Sequence, residues 1–186
     1  MSAPPFTLVT GNPNKLREAE RLLGARPASA EVDLPEIQSL DVVEVLHAKG
    51  QEAWQRLERP VVVDETSLEL HAMGGFPGPL VKWMLEAVGA AGIARTAHAL
   101  DDPRATARCV LLYRDAERSI VTDGAVKGQL VASPRGQHGF GWDPIFQPEG
   151  SALTFAEIDP DAKDLVGHRG HAWRALHDRL REAGIL

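Results

Sequence analysis

The chain has 186 residues, enough to bury a substantial core in one domain or two closely joined lobes, and its 44% hydrophobic and 25% charged residues are those of an ordinary globular protein. No run of about 18 apolar residues marks a membrane span, and Met1 to Pro5 lacks the basic region and apolar run of a secretory signal, so the cytoplasm is the expected compartment. A net charge of −6 argues against a nucleic-acid polymer as partner, yet a few cations converging in one cleft still suit a small anionic ligand.

Along the chain, Phe6 to Val9 reads as a short strand, broken by Gly11-Asn12-Pro13-Asn14. Lys15 to Leu23 has helical spacing through Leu16, Ala19, Leu22 and Leu23. A strand is expected near Glu31 to Leu34, ended by Pro35, and then an amphipathic helix from Val43 to Leu57. Pro60 to Val63 is a continuous apolar run of the kind found in a central strand buried on both faces. Pro79 to Val88 predicts a helix whose first turn can hold the proline, and Gly92 to Leu100 another. Ala105 to Tyr113 and Ser119 to Val126 form an expected hairpin, within which the lone Cys109 reads as a buried strand residue. Gly139 to Phe146 is a strand or loop at a site edge, and Gly170 to Glu182 a closing helix with Trp173, Leu176 and Leu180 inward. The pattern predicts an α/β fold, a mixed central sheet with flanking helices, in two lobes around a cleft.

Four segments carry chemistry. Thr10-Gly11-Asn12-Pro13-Asn14-Lys15 joins a strand to a helix, where free N–H groups and a lysine suit phosphate; the same pattern also describes a plain turn with a solvated lysine. The chain uses only five lysines against fifteen arginines, a weak hint that lysines mark places where a compact ammonium is needed. Asp64 and Glu65 follow the apolar run and are expected at a strand's carboxyl end, where paired acids hold Mg²⁺ or activate water, or else serve as a cap. Gly139-Phe140-Gly141-Trp142-Asp143-Pro144 interleaves rings with glycines, as for a flat ligand, or for ordinary core packing. Lys163 and Gly167-His168-Arg169-Gly170 precede the last helix, as a second basic site or a solvated turn.

In order, the chain holds Thr10-Gly11-Asn12 with Lys15, Asp33-Leu34-Pro35-Glu36, Asp64-Glu65-Thr66, Gly74-Gly75-Phe76-Pro77-Gly78-Pro79 with Lys82-Trp83, Pro134-Arg135-Gly136, Phe140-Gly141-Trp142-Asp143-Pro144, Thr154-Phe155-Ala156-Glu157, and Lys163 with His168-Arg169. This ordered set resembles the inosine triphosphate pyrophosphatase family from residue 8 to about residue 175. The resemblance implies Mg²⁺-dependent hydrolysis of ITP, dITP and XTP to the monophosphate and pyrophosphate, by a homodimer. It implies that Thr10 to Lys15, with Lys49, cradle the triphosphate, that Glu36 and Glu65 bind Mg²⁺, and that Thr66 contacts substrate. Glu65, Asp64 and Lys15 become the catalytic candidates. Phe140, Gly141 and Trp142 would flank the purine, and Asp143, Lys163, His168 and Arg169 would complete the base pocket. Donors there would donate to a 6-keto oxygen and be left unmatched by the 6-amino group of adenine.

The chain departs from the family pattern at Glu65, where an aspartate is usual, at Gly167 for serine, at His171 for arginine and at Asp164 for asparagine. The first bears on rate and the rest on base selectivity. Two other readings stay open: a related pyrophosphatase for pyrimidine or modified nucleotides, in the manner of the Maf-like proteins, and a nucleotide-binding protein with weakened catalysis. For assembly, Phe76, Leu80, Val81 and Trp83 are expected to present an apolar surface to a partner subunit.

Overall fold

The structure, a computed structural model, describes residues 4–186; residues 1–3, the start of the segment read as lacking a secretory signal, lie outside the described residues. Seven strands form one mixed sheet: β1 (Thr7–Val9), β2 (Ala28–Ala30), β3 (Val61–Leu70), β4 (Pro77–Gly78), β5 (Arg104–Arg114), β6 (Ser119–Leu130) and β7 (Phe146–Pro148). Their order is β2-β1-β3-β5-β6-β7, with β4 paired to β3 off this path. β1 runs parallel to both β2 and β3, and the remaining pairings are antiparallel. Five helices surround the sheet: α1 (Pro13–Leu23), α2 (Val42–Leu57), α3 (Val81–Ala99), α4 (Pro160–Val166) and α5 (His168–Glu182). None is long and apolar enough to cross a membrane.

The apolar run at Val61–Val63 is only the first third of β3. The acids were expected at the end of a strand, but the strand continues to Leu70, because β5 pairs with it from Val61↔Arg114 to Leu70↔Ala105. β1 follows β3 only at Thr7↔Val61 and Leu8↔Val62 and then stops. From there to the β4 pairing at Leu68 one edge of β3 is uncovered, and in that gap Asp64 and Glu65 sit. The acids made the strand look finished, whereas the backbone ladder ignores side-chain charge.

The strand expected near Glu31 to Leu34 lies instead at Ala28–Ala30, while residues 31–40 have almost no regular structure. This edge strand is held by backbone pairing to β1 (Thr7↔Ala28 to Val9↔Ala30), so its small side chains gave no periodic signal. The two helices expected after Pro79 are the two parts of α3, broken at Gly89 (φ 67°, ψ 172°), a backbone region open essentially to glycine. Residues 139–145 form turns rather than a strand, and α4 had no counterpart in the sequence reading.

Packing follows the two-residue alternation of β3. Val62 faces Phe6, Leu8 and the α5 residues Trp173 and Leu176, all buried. Val61 and Val63 face the other side, against Leu46 and Ala53 of α2. A third cluster gathers Leu68, Leu70, Ile93, Ala97, Phe146 and Phe155 around the far end of β3. Cys109 is fully buried as expected, and burial pushes its thiol up to about 12, which leaves it inert. By the same alternation Asp64 belongs to the α5 face and Glu65 to the α2 face.

Candidate active site

A cleft of about 700 Å³ opens where β1 stops beside β3. Its walls are the β1–α1 loop, residues 32–36, β3, the start of α3 and the loop around Phe140. Of the residues singled out from sequence, Thr10, Gly11, Asn12, Pro13, Lys15, Glu36, Lys49, Asp64, Glu65, Thr66, Phe140, Gly141 and Trp142 all line it. Both acids reach the cleft, although alternation along the strand sends them to opposite faces of the sheet. The opening lies at a gap in the sheet past the end of β1, so side chains from either face can turn into it.

The β1–α1 loop is shaped by its own side chains. Asn12 caps α1: its side-chain oxygen accepts from the Asn14 N–H at 2.9 Å, and Pro13 takes the first helical position. The Asn12 N–H in turn donates to Thr10 Oγ at 3.1 Å. Lys15 thus rises from the first turn of α1 into the cleft, with its ammonium 3.0 Å from Asp64 Oδ2, a charge contact lying off the hydrogen-bond direction. Burial would raise the Asp64 carboxyl, but Lys15 and then Arg169, 3.8 Å away, outweigh it and hold Asp64 below its usual value.

On the other face Lys49, from α2, donates to Glu65 at 2.8 Å and lies 3.6 Å from Glu36. Burial works to lower Lys49, yet Glu65 and then Asp64 raise it above its usual value, so it is charged. Glu36 and Glu65 therefore share one cation. No three acidic, histidine or cysteine side chains among the described residues gather into a metal site of their own. Two carboxylates that already converge on an ammonium do fit a hard divalent ion that completes its shell with water and phosphate oxygens.

The residues expected to complete a base pocket lie behind the cleft wall. Lys163, Asp143, His168 and Arg169 are each no more than 5% exposed. Lys163 donates to Asp143 at 2.7 Å and to Glu18 at 3.1 Å, and Arg169 donates to the other Glu18 oxygen. Both cations stand over the Phe140 ring, at 5.5 and 5.4 Å. Burial raises Asp143, only partly offset by Lys163, whereas Glu18 is held below its usual value by Arg169 and Lys163 against the opposing effect of burial. Burial, then Arg169 and Lys163, push His168 well below 6.5, so it is neutral and stacks on Trp142 at 6.3 Å. A smaller cavity of about 170 Å³ touches this network from the far side, lined by Asn14, Glu18, Phe140 and Lys163 among others.

Two glycines make this packing possible. A side chain at Gly139, whose φ is 72°, would strike Asp143, whose carboxylate accepts from the Phe140 N–H at 2.8 Å. A side chain at Gly124 of β6 would meet the His168 carbonyl at 2.2 Å, so glycine lets the start of α5 lie against the sheet.

Glu18 was missed from sequence. Its signal was present: it stands three residues after Lys15 on one helix and therefore shares that residue's face. Lys82, Leu85 and Glu86 of α3 also line the cleft without having been assigned a role. In the apolar stretch offered for dimerisation, Val81 is buried internally, while Phe76 and Trp83 remain 38% and 57% exposed.

Comparison with known proteins places this arrangement. Residues 6–179 match the model of the Ham1 family. The inosine triphosphate pyrophosphatase of Batrachochytrium dendrobatidis is 42% identical over 165 residues, covering 87% of this chain and 86% of that one. Among solved structures, a HAM1 protein from Coxiella burnetii superposes with a TM-score of 0.80 at 26% identity, over 95% of this chain and 99% of the other. A nucleoside-triphosphatase described as a dITP/XTP pyrophosphatase, from Mycobacterium abscessus, gives 0.72 at 29% identity over 91% and 97%. The chain belongs to the Ham1 family.

Proposed function

We propose that the protein hydrolyses non-standard purine nucleoside triphosphates, ITP, XTP and dITP, to the monophosphate and pyrophosphate. The observation that carries this reading is the cleft itself. A strand-to-helix loop suited to phosphate, two lysines each set on an acid of β3, and an aromatic rim all face one space of about 700 Å³. The relatives named as inosine triphosphate and dITP/XTP pyrophosphatases support the same substrates.

In this reading the β1–α1 loop, Lys15 and Lys49 hold the triphosphate. Glu36 and Glu65 would hold Mg²⁺, which supplies charge neutralisation at the phosphates. A Glu65 oxygen takes the proton of the attacking water as that water bonds to the α-phosphorus. The bond to the bridging oxygen breaks, and pyrophosphate leaves with the electron pair. Phe140 and Trp142 bracket the base, while Lys163 and Arg169 offer donors that suit a 6-keto oxygen and leave an adenine amino group unmatched.

Pyrophosphate release from a panel of triphosphates tests this. ITP and XTP should give monophosphate and pyrophosphate at a kcat/KM at least about 10²-fold above that for ATP. IDP and orthophosphate as first products would defeat the assignment, comparable rates on ATP would remove the base selectivity, and faster turnover of pyrimidine triphosphates would favour the Maf-like alternative. A cytoplasmic homodimer belongs to the same proposal, with the exposed Phe76 and Trp83 in its interface; a monomer mass of 20.2 kDa by light scattering at micromolar concentration would remove the dimer.

A further inference from the structure

α4 has seven residues, too few to persist as an isolated helix, so its position depends on what ties it down. At its start Asp159 caps it by accepting from the N–H groups of Asp161 and Ala162. At its end Arg174 of α5 donates to the carbonyls of Asp164 and Leu165 at 2.9 and 2.7 Å. Apolar packing adds little there, since Leu165 and Val166 are 68% and 48% exposed.

Toward α1 the ties are ionic. Glu18 meets Lys163 in the buried network, at 3.1 Å. One helical turn further along α1, Arg21 grips Asp164 with two hydrogen bonds, Nε to Oδ2 at 2.7 Å and Nη2 to Oδ1 at 3.2 Å. Glu18 and Arg21 lie three apart on one face of α1, and neighbouring Lys163 and Asp164 receive them with opposite charges. A slip of α4 would bring like charges together, so the two pairs define a single register.

The two ties differ in what substrate binding asks of them. Lys163 already spends two of its three protons on Glu18 and Asp143. A base carbonyl that engages this ammonium takes the third proton, and it meets that proton only if Glu18 and Asp143 keep the ammonium in place. The Arg21–Asp164 pair lies outside the buried network, with side chains 35% and 12% exposed, and makes no contact with the base in this reading. Asp164 is also a position where this chain departs from the family pattern, and an uncharged asparagine could not form the same ion pair with Arg21.

We propose that Arg21 and Asp164 are positioning residues: their two-point ion pair holds α4 in register on α1 so that the free proton of Lys163 is aimed at the base. The inference rests on the reading of Lys163 as a base-recognising residue. A partly exposed pair contributes little to global stability, but a displacement of Lys163 by a fraction of an ångström acts directly on selectivity.

The test is a double-mutant cycle with Asp164→Asn, Arg21→Gln and the pair combined. The readouts are kcat and KM for ITP and ATP, thermal midpoint, and IMP affinity by calorimetry. Each single change should lower the ratio of ITP to ATP kcat/KM about tenfold, mainly through KM for ITP, with the midpoint nearly unchanged. The double variant should be no worse than Arg21→Gln alone, because that change already removes the Asp164 contact together with the weaker one to Asp161 at 3.7 Å. Unchanged selectivity in both single variants, or effects that multiply in the double variant, would overturn the proposal. If the wild-type protein releases no pyrophosphate from ITP, the functional reading fails on its own. The clamp is then judged by IMP affinity, which must weaken in both single variants for it to stand.

Discussion

Replacing Glu65 by glutamine is expected to lower kcat for ITP by at least about 10²-fold, while nucleotide affinity and thermal stability stay near those of the wild-type protein. Glu65 sits where β1 no longer covers β3, and its carboxylate takes a 2.8 Å hydrogen bond from Lys49. The amide can still pair with Lys49 but can neither accept a proton from water nor match a carboxylate as a metal ligand. Lys49 keeps Glu36 at 3.6 Å, so the change leaves no cation unpartnered. Asp64→Asn should behave differently. Asp64 is 4% exposed and lies between Lys15 and Arg169, so losing its charge unbalances two cations and disturbs the phosphate loop. Its damage should appear in stability and KM more than in kcat. Glu65→Asp adds a third arm: a faster enzyme would mean that glutamate weakens the natural site, and a slower one that the site has adapted to it. Near-normal turnover in Glu65→Gln beside a dead Asp64→Asn that still folds would reverse the two roles.

Much of this site could be read before any coordinates because it is built from short contiguous motifs. The loop from Thr10 to Lys15, the acids at 64 and 65 and the glycine-aromatic run at 139–143 each keep their meaning in a linear string. The fold was legible for a related reason: apolar periodicity reports which face of an element is buried, and it gave α2, α5, the β5–β6 hairpin and both parts of α3. What stayed hidden depends on pairing across the chain. The true length of β3 is fixed by β5, more than thirty residues away in sequence, and the position of β2 by a backbone ladder to β1. The depth of Lys163 and Arg169 could not be inferred, since isolated basic residues before a helix are usually solvated. Glu18, on a distant helix, is the acid that both share, and with Asp143 and Asp64 it makes their burial tolerable.

That dependence leads to the second large effect. Glu18→Gln is expected to destabilise the protein by about 3 kcal/mol, the lower end of the cost of breaking a buried ion pair, and to lower the melting temperature by roughly 10 °C. Glu18 is 6% exposed and bonds Lys163 through one oxygen and Arg169 through the other. Without its charge Lys163 retains Asp143, but Arg169 is left with Asp64 at 3.8 Å, and two buried cations share too little negative charge. The effect must depend on pH. The Glu18 and Asp64 carboxyls are held below their ordinary values of 4.5 and 3.8, so the stability they contribute is full above those values and is lost as pH falls through the depressed ones. Asp143 and Asp164 are raised instead, and act in the opposite sense by favouring the folded state as they take up protons. Removing Glu18 deletes one of the buried carboxylates that make acid harmful. Chemical denaturation from pH 7 down to pH 3 should therefore show a large deficit for Glu18→Gln at neutrality that narrows below about pH 4.5. A deficit that stays constant over this range would mean that Glu18 stabilises the fold by shape and hydrogen bonding, not by its charge between Lys163 and Arg169.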